Sequence, residues 1–161
     1  MEQPPLAFLE VLLRLLAALL CGAAIGLNRE FHRKPAGFRT FALVSLGSAI
    51  VVLSMEQRGG PDSISRVIQG IMTGIGFLGA GVIFRREAPN KVSGLTTAAA
   101  IWLTAGLGCA AGLGHYPLVG ASTAIALLLL LLGGPFERLV TGRRPKGKNE
   151  PDSGNDTDEA P

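Results

Sequence analysis

Residues 124–132 read Ala-Ile-Ala-Leu-Leu-Leu-Leu-Leu-Leu, a run in which apolar and polar residues do not alternate. A strand of a membrane β-barrel would alternate over about ten positions. Within a bilayer every backbone N–H and C=O needs a partner inside the protein, so a run without alternation has to be helical. This run closes a longer apolar block, Tyr116 to Leu132, and the block predicts a membrane-spanning helix because its length matches the ~30 Å hydrocarbon layer.

Four more apolar blocks precede this one, at Leu6 to Leu27, Phe38 to Met55, Val67 to Phe84 and Leu95 to Leu113. The chain has 161 residues, of which 48% are hydrophobic, and this content is too high for an ordinary small soluble domain. The sequence therefore predicts an all-α membrane protein, a bundle of about five transmembrane helices within residues 1–133.

The remaining residues, 134–161, are rich in charged residues, Pro and Gly. The sequence Gly133-Gly134-Pro135 is expected to end the fifth helix, and the polar composition beyond it predicts a disordered cytoplasmic tail.

The basic residues are distributed unevenly between the blocks. Twelve lie in the segments 28–39, 85–93 and 134–161, whereas the alternate segments hold only Arg58 and Arg66. The positive-inside rule then predicts an extracytoplasmic N-terminus and a cytoplasmic C-terminus. The net charge of +3 is interpreted as this topology signal in contact with the lipid bilayer, and no nucleic acid partner is expected.

Glycine is about twice as frequent as usual, with 22 residues, and several glycines lie four apart inside the apolar blocks. Small residues let membrane helices approach closely, so we expect tight packing, with the third helix at the centre, and a homo-oligomer contact stays open. The packing candidates are Gly22, Gly26, Gly70, Gly74, Gly76, Gly79, Gly81, Gly108 and Gly112. Residues 74–79 also match a dinucleotide-binding pattern, but the required preceding strand and following acidic residue are missing, and no cofactor is expected.

Charged groups at membrane depth are costly, which makes Glu10 and Arg14 functional candidates. They lie four residues apart on one helix face, with the acid nearer the N-terminus, so they are expected to form an ion pair. The pair is either a structural pair that fixes the packing of the helix or part of an ion path or polar cavity, and the sequence leaves both interpretations open.

A second group of candidates surrounds the first loop: Asn28, Arg29, Glu30, Arg39 and Thr40. Arg39 and Glu30 can face each other there. The loop is either a charged hairpin in contact with lipid headgroups or a ligand-contact surface.

Further polar candidates lie in or next to the third and fourth blocks. Asp62 is expected to cap the third helix, with Arg66 one turn later. Gln69 and Thr97 are expected to form hydrogen bonds between helices. Trp102 is placed near the middle of the membrane and is expected to face protein rather than lipid.

Four segments resemble the MgtC/SapB family of bacterial membrane proteins: Ala23 to Glu30, Lys34 to Thr40, Gly74 to Ile83 and Gly94 to Trp102. The resemblance implies a multi-pass inner-membrane protein that supports magnesium homeostasis or adaptation to low magnesium and acid stress, by modulating other inner-membrane proteins. It points to the polar positions Arg14, Arg29, Glu30, Arg39, Thr40, Asp62, Arg66, Thr96, Thr97 and Trp102.

Two departures from the family pattern stand out. Asn28 occupies a position where the family usually has Glu, which leaves metal binding at that loop undecided. The tail is short, so a soluble C-terminal domain like that of longer members is not expected here.

Two other classes of function remain for comparison. The chain could itself transport Mg²⁺ or another ion, although Glu10, Glu30 and Asp62 lie at different depths. An enzyme is not expected, because no nucleophile has a neighbouring base and the two histidines, His32 and His115, fall on opposite sides of the membrane.

Overall fold

The chain forms five α-helices in a computed structural model that describes residues 7–56, 61–83 and 93–141. The helices are α1 (Phe8–Phe31), α2 (Phe38–Glu56), α3 (Pro61–Ile83), α4 (Leu95–Gly112) and α5 (Tyr116–Thr141). Each has a segment long and apolar enough to cross a membrane. The predicted all-α bundle of five membrane helices is confirmed, while the cytoplasmic or external placement of the two termini stays a prediction.

The two ends of the bundle differ in which helix termini they contain. At one end, called here the Arg14 end, α1 and α5 begin while α2 and α4 end, and side chains of α1, α2 and α5 meet there with the last backbone carbonyl of α4. At the other, the Arg29 end, α1 ends beside the first turn of α4. By the distribution of basic residues, the Arg29 end is the predicted cytoplasmic end.

Glycines bring α2 into direct backbone contact with α1 and α4. A Cβ atom on Gly22 of α1 would lie 2.6 Å from the carbonyl oxygen of Phe41 in α2. A Cβ atom on Gly108 of α4 would lie 2.2 Å from the carbonyl oxygen of Ser45 on α2. Gly26 and Gly112 are similarly close to α2: an added Cβ atom would lie 2.7 Å from Cα of Phe38 and 2.8 Å from the carbonyl oxygen of Ala49, respectively. Only residues without a side chain permit this spacing, so the three helices form the packed core of the bundle.

The fourth helix, not the third, is central in the described chain. Within the membrane span of α4, 56% of the residues are buried, compared with 6% in α3. Helix α4 contacts all four other helices. A Cβ atom added to Gly70, Gly74, Gly76 or Gly81 of α3 would meet no described atom within 4 Å, and one added to Gly79 would make only an ordinary contact with Ala98. The expected central position of the third helix was therefore wrong, because its glycines lie mostly on the uncovered side of the helix.

The helix boundaries extend beyond the predicted ones in three places. Helix α1 continues through the polar residues after Leu27, and α3 begins at Pro61, whose fixed φ suits the first position of a helix. Helix α5 does not end at Gly133-Gly134-Pro135 but continues to Thr141. A proline removes one backbone hydrogen bond, and membrane helices tolerate that loss. The predicted disorder of the tail beyond Thr141 lies outside the described residues.

Trp102 does not face protein as predicted. Its side chain is 53% exposed, on the side of α4 that also carries exposed Ala99 and Leu103. The described parts of the other helices leave this side of α4 uncovered.

Candidate functional site

Arg14 lies at the centre of a polar cluster that connects four helices at the Arg14 end. Its guanidinium is buried and donates from Nε to Oε1 of Glu10 at 2.8 Å. Its Nη1 donates to the carboxylate of Glu56 and, at 2.8 Å, to the carbonyl oxygen of Gly112. The hydroxyl of Tyr116 donates to Oε1 of Glu10 at 3.1 Å. These groups are called the Arg14 cluster below.

The helix termini explain why these groups meet. Glu10 and Arg14 share one face of α1, whereas Glu56 is the last residue of α2 and Gly112 the last residue of α4. The last carbonyl groups of a helix have no partner within the helix and carry partial negative charge, so a guanidinium satisfies both their hydrogen bonding and their charge. The cluster therefore fixes the ends of α2 and α4 against the start of α1.

The loop between α4 and α5 passes directly over the guanidinium. Gly114 in this loop has a φ of 75°, and a Cβ atom there would lie 3.1 Å from Cζ of Arg14. A side chain at this position would be strained by the backbone angle and would press against Arg14. Gly114 thus allows the loop to cover the cluster.

The Arg14 cluster contains two carboxylates and one guanidinium. The side chains of Glu10 and Glu56 are 35% and 31% exposed, so the surplus negative charge is partly open to the surroundings. Such a surface attracts cations to this end of the bundle.

The sequence predicted only the first member of this network. The ion pair of Glu10 with Arg14 is present. Glu56, Tyr116 and the Gly112 carbonyl were missed, because they are 42, 106 and 98 residues away from their partners along the chain. The available signal was Glu56 itself, an acidic residue that follows the second apolar block at the same end as Arg14.

Arg29 is the second buried arginine, at the opposite end. The residue is 5% exposed, and its Nη2 donates to the hydroxyl of Thr97 in the first turn of α4. Its Nε is buried and finds no hydrogen-bond acceptor, and no ion pair to Arg29 occurs within residues 7–56, 61–83 and 93–141. Thr97 therefore forms the predicted interhelical hydrogen bond, and the charge of Arg29 has no described carboxylate beside it.

Glu30, the residue after Arg29, contacts the start of α2 and not Arg29. Its Oε2 accepts a hydrogen bond of 2.9 Å from the backbone N–H of Phe38, the first residue of α2. A Cβ atom on Gly37 would lie 2.8 Å from the same oxygen. Glu30 thus caps the start of α2 across the loop.

An open pocket of about 660 Å³ lies beside this cap, lined by residues of the first loop and of the flanking helix ends. Glu30 and Arg39, which the sequence allowed to face each other, both line it, and no ion pair joins them in the described structure. Thr40 and Lys34 also line the pocket. Asn28 is half-buried nearby, and its backbone carbonyl oxygen accepts a hydrogen bond from Nδ1 of His32 at 2.7 Å.

The candidates on α3 do not join either arginine site. Asp62 lies in the first turn of α3, and Asp62 and Arg66 are both exposed. The expected interhelical hydrogen bond of Gln69 is not found among the described residues, because its Nε2 donates at 3.4 Å to Ser65 of the same helix. Thr96 is exposed next to buried Thr97 at the start of α4.

No group of three or more His, Cys, Asp or Glu side chains that could hold a metal ion occurs among the described residues. The candidate sites of the described structure are thus centred on two arginines, Arg14 and Arg29, which lie at opposite ends of α1 and have different partners.

Comparisons with known proteins point to one family. The MgtC family model matches residues 15–139, a range that starts directly after Arg14 and includes Arg29, Glu56 and Thr97. Protein SrpB of Synechococcus elongatus is 48% identical over 129 residues, which cover 73% of this chain and 71% of that protein. Protein MgtC of Salmonella typhimurium is 47% identical over 132 residues, covering 82% of this chain and 55% of that protein.

A third relative carries a functional name. The putative magnesium transporter YhiD of Escherichia coli K12 is 41% identical over 132 residues, covering 75% of this chain and 59% of that protein. The chain thus spans little more than half of the MgtC and YhiD proteins. No solved structure shows a significant match to the chain.

Proposed function

Because the chain belongs to the MgtC family, we propose that it is a non-enzymatic protein of the bacterial inner membrane that supports magnesium homeostasis by modulating other membrane proteins. The magnesium link is supported by the name of the E. coli relative, a putative magnesium transporter, and by the family resemblance of the sequence. The five membrane-length helices support a multi-pass protein.

The packing between the two arginines is the observation that favours modulation over transport. In this region Ile25, Phe41 and Ile101 are at most 1% exposed, and the backbones of α2 and α4 touch at Gly108. Mg²⁺ requires hard oxygen ligands and keeps several waters, so its passage needs a wide polar route. Close apolar packing along α1, α2 and α4 opposes such a route through this core.

Two measurements test the proposal together. Cells that lack the gene are expected to grow poorly when magnesium is limiting, and the wild-type gene should restore growth. The purified protein in liposomes with a Mg²⁺-sensitive dye inside should show no protein-dependent flux, whereas a known magnesium channel reconstituted in the same way should fill the vesicles. Normal growth of the deletion strain under every magnesium limitation would contradict the proposal.

Modulation also requires a partner in the membrane. Cross-linking in native membranes under magnesium limitation, followed by purification of the tagged chain, is expected to recover another inner-membrane protein in defined proportion. Recovery of the chain only with further copies of itself would replace the proposed partner by a homo-oligomer.

Transport of Mg²⁺ by the chain itself is the second candidate. It is favoured by the name of the E. coli relative and by the surplus negative charge of the Arg14 cluster. If the liposome assay gives flux, Glu56→Gln should lower it, because the variant removes one of the carboxylates that attract cations. Asp62→Asn, which removes an exposed carboxylate on α3, is the matched control.

A further inference from the structure

The first turn of α4 presents backbone N–H groups without side-chain caps. The helix begins after Gly94, which has a φ of 90° and contributes no side-chain hydrogen bond. The first backbone bond of the turn runs from the N–H of Ala98 to the carbonyl of Gly94 at 2.8 Å. The N–H groups of Leu95, Thr96 and Thr97 precede it and have no acceptor within the helix. This helix end therefore carries partial positive charge, equivalent to roughly half an elementary charge.

Arg29 adds a full positive charge at the same place. Its Nη2 bonds to Thr97 in this first turn, its Nε is buried without an acceptor among the described residues, and the residue is 5% exposed. A buried charged donor without an acceptor is costly, because it has lost its hydration and gained no partner in return. Glu30 makes no ion pair with Arg29 among the described contacts, and its Oε2 accepts a hydrogen bond from Phe38 N–H at the start of α2.

We propose that Arg29 and the first turn of α4 form a binding site for a phosphate oxyanion. The planar guanidinium and free N–H groups at a helix start are the donors that proteins use for phosphate. The hydroxyl of Thr97 lies between them, and that of Thr96 is exposed at the rim. An anion at this position would satisfy both Arg29, which has no ion-pair partner among the described residues, and the helix end.

The depth of the site favours the phosphate of an anionic phospholipid. Arg29 lies two residues before the end of α1 and Thr97 is the third residue of α4, so both are about 3 Å from a helix end. Helices that span the hydrocarbon layer place their ends among the lipid headgroups. Free inorganic phosphate has the same chemistry and is tested separately. The inference does not depend on the proposed role in magnesium homeostasis.

The experiment measures thermal unfolding of the purified full chain in micelles of a phosphate-free maltoside detergent as phosphatidylglycerol is added, and in parallel as inorganic phosphate is added. The wild-type midpoint is expected to rise with the ligand. Arg29→Gln should require at least about tenfold more ligand for the same rise, equal to a loss of about 1.4 kcal/mol. Arg39→Gln removes an exposed positive charge at the same end and should respond like the wild type.

Thr97 provides a second test in case Arg29→Gln does not fold. Thr97→Val removes the hydroxyl that holds Arg29 in place and should weaken the response, whereas Thr97→Ser should retain it. A rise only with phosphatidylglycerol assigns the site to lipid, and a rise with inorganic phosphate assigns it to the free ion. An equal response in wild type and Arg29→Gln, an equal loss in Arg39→Gln, or no wild-type response to either ligand would overturn the proposal.

Discussion

Arg14 and Arg29 are the two buried arginines of the described chain, and their surroundings are opposite. Arg14 is held by two carboxylates and a helix C-terminus, whereas Arg29 lies against a helix N-terminus and a hydroxyl. In the first arrangement the chain itself supplies opposite charge to the guanidinium. Arg29 lies in the last turn of α1 and beside the partial positive charge at the start of α4, and it has no described carboxylate partner, so it is the arginine for which we propose an external anion.

Removing the charge of Arg14 should destabilise the protein more than removing either of its carboxylates. Arg14→Gln leaves Glu10, Glu56 and the Gly112 carbonyl without their shared donor, and it should lower the free energy of unfolding by about 3 kcal/mol. Glu10→Gln or Glu56→Gln should each cost about 1 kcal/mol, because both side chains are partly exposed and Arg14 keeps another partner.

Thermal or denaturant unfolding in detergent measures these differences. Asp62→Asn, in the exposed first turn of α3, serves as the control and should change stability by less than about 0.5 kcal/mol. A larger effect of Glu56→Gln than of Arg14→Gln would contradict the central position of the arginine.

Gly114 should not tolerate a side chain. Its positive φ and its contact with Arg14 predict a loss of about 1 to 2 kcal/mol for Gly114→Ala. Gly120→Ala is the matched control, because Gly120 lies in α5 with no described atom within 4 Å of the added methyl group, and alanine favours helix. Comparison of the two unfolding midpoints checks the prediction, and equal midpoints would show that the loop does not press on Arg14.

At the scale of helices, the contact between α2 and α4 depends on Gly108. A methyl group there would overlap the carbonyl oxygen of Ser45, so Gly108→Ala has to push the two helices apart and should cost about 1 to 3 kcal/mol. Gly106→Ala, on the same helix with no described neighbour within 4 Å, should be neutral or slightly stabilising. The two variants can be compared by unfolding in mixed detergent micelles. Equal stability of both would contradict the close approach of α2 and α4.

The existence of the five helices could be predicted from the sequence, because apolar length alone decides which segments cross a bilayer. The identity of the central helix could not. Glycines are frequent in both α3 and α4, but frequency does not tell which face of a helix meets a neighbour. The better signal was in α4, where Ala105, Gly108, Ala111 and Gly112 place small buried residues together on one face of the helix.

The candidate sites, too, could be predicted from the sequence only in part. Spacing within one helix predicted the contact of Glu10 with Arg14. The partners Glu56, Thr97 and Gly112 come from other helices, and their positions follow from how the bundle packs, which one sequence does not reveal.

At the scale of the whole molecule, the orientation in the membrane is the main open prediction. Along the sequence the basic residues concentrate in the segments 28–39, 85–93 and 134–161, so the Arg29 end, which carries the first of these, should face the cytoplasm. A variant without native thiols, Cys21→Ala and Cys109→Ala, allows single cysteines to report on each end. Ser65→Cys should react with an impermeant thiol reagent added to intact spheroplasts, whereas Lys34→Cys should react only after permeabilisation. The reverse pattern would show that the chain is inserted the other way round.

The sparse packing of α3 has a consequence for how the bundle is assembled during synthesis. Helix α3 leaves the ribosome before α4, yet α4 is the helix that fits against both α1 and α2. The hairpin of α1 and α2 therefore remains in the membrane with Ser45 and Ala49, the residues that later meet the glycines of α4, uncovered, while α3 inserts into the lipid beside it. Only a nascent chain that already includes α4 can close the core, and a ribosome stalled before that point would leave a partial helical bundle for quality-control proteases to recognise.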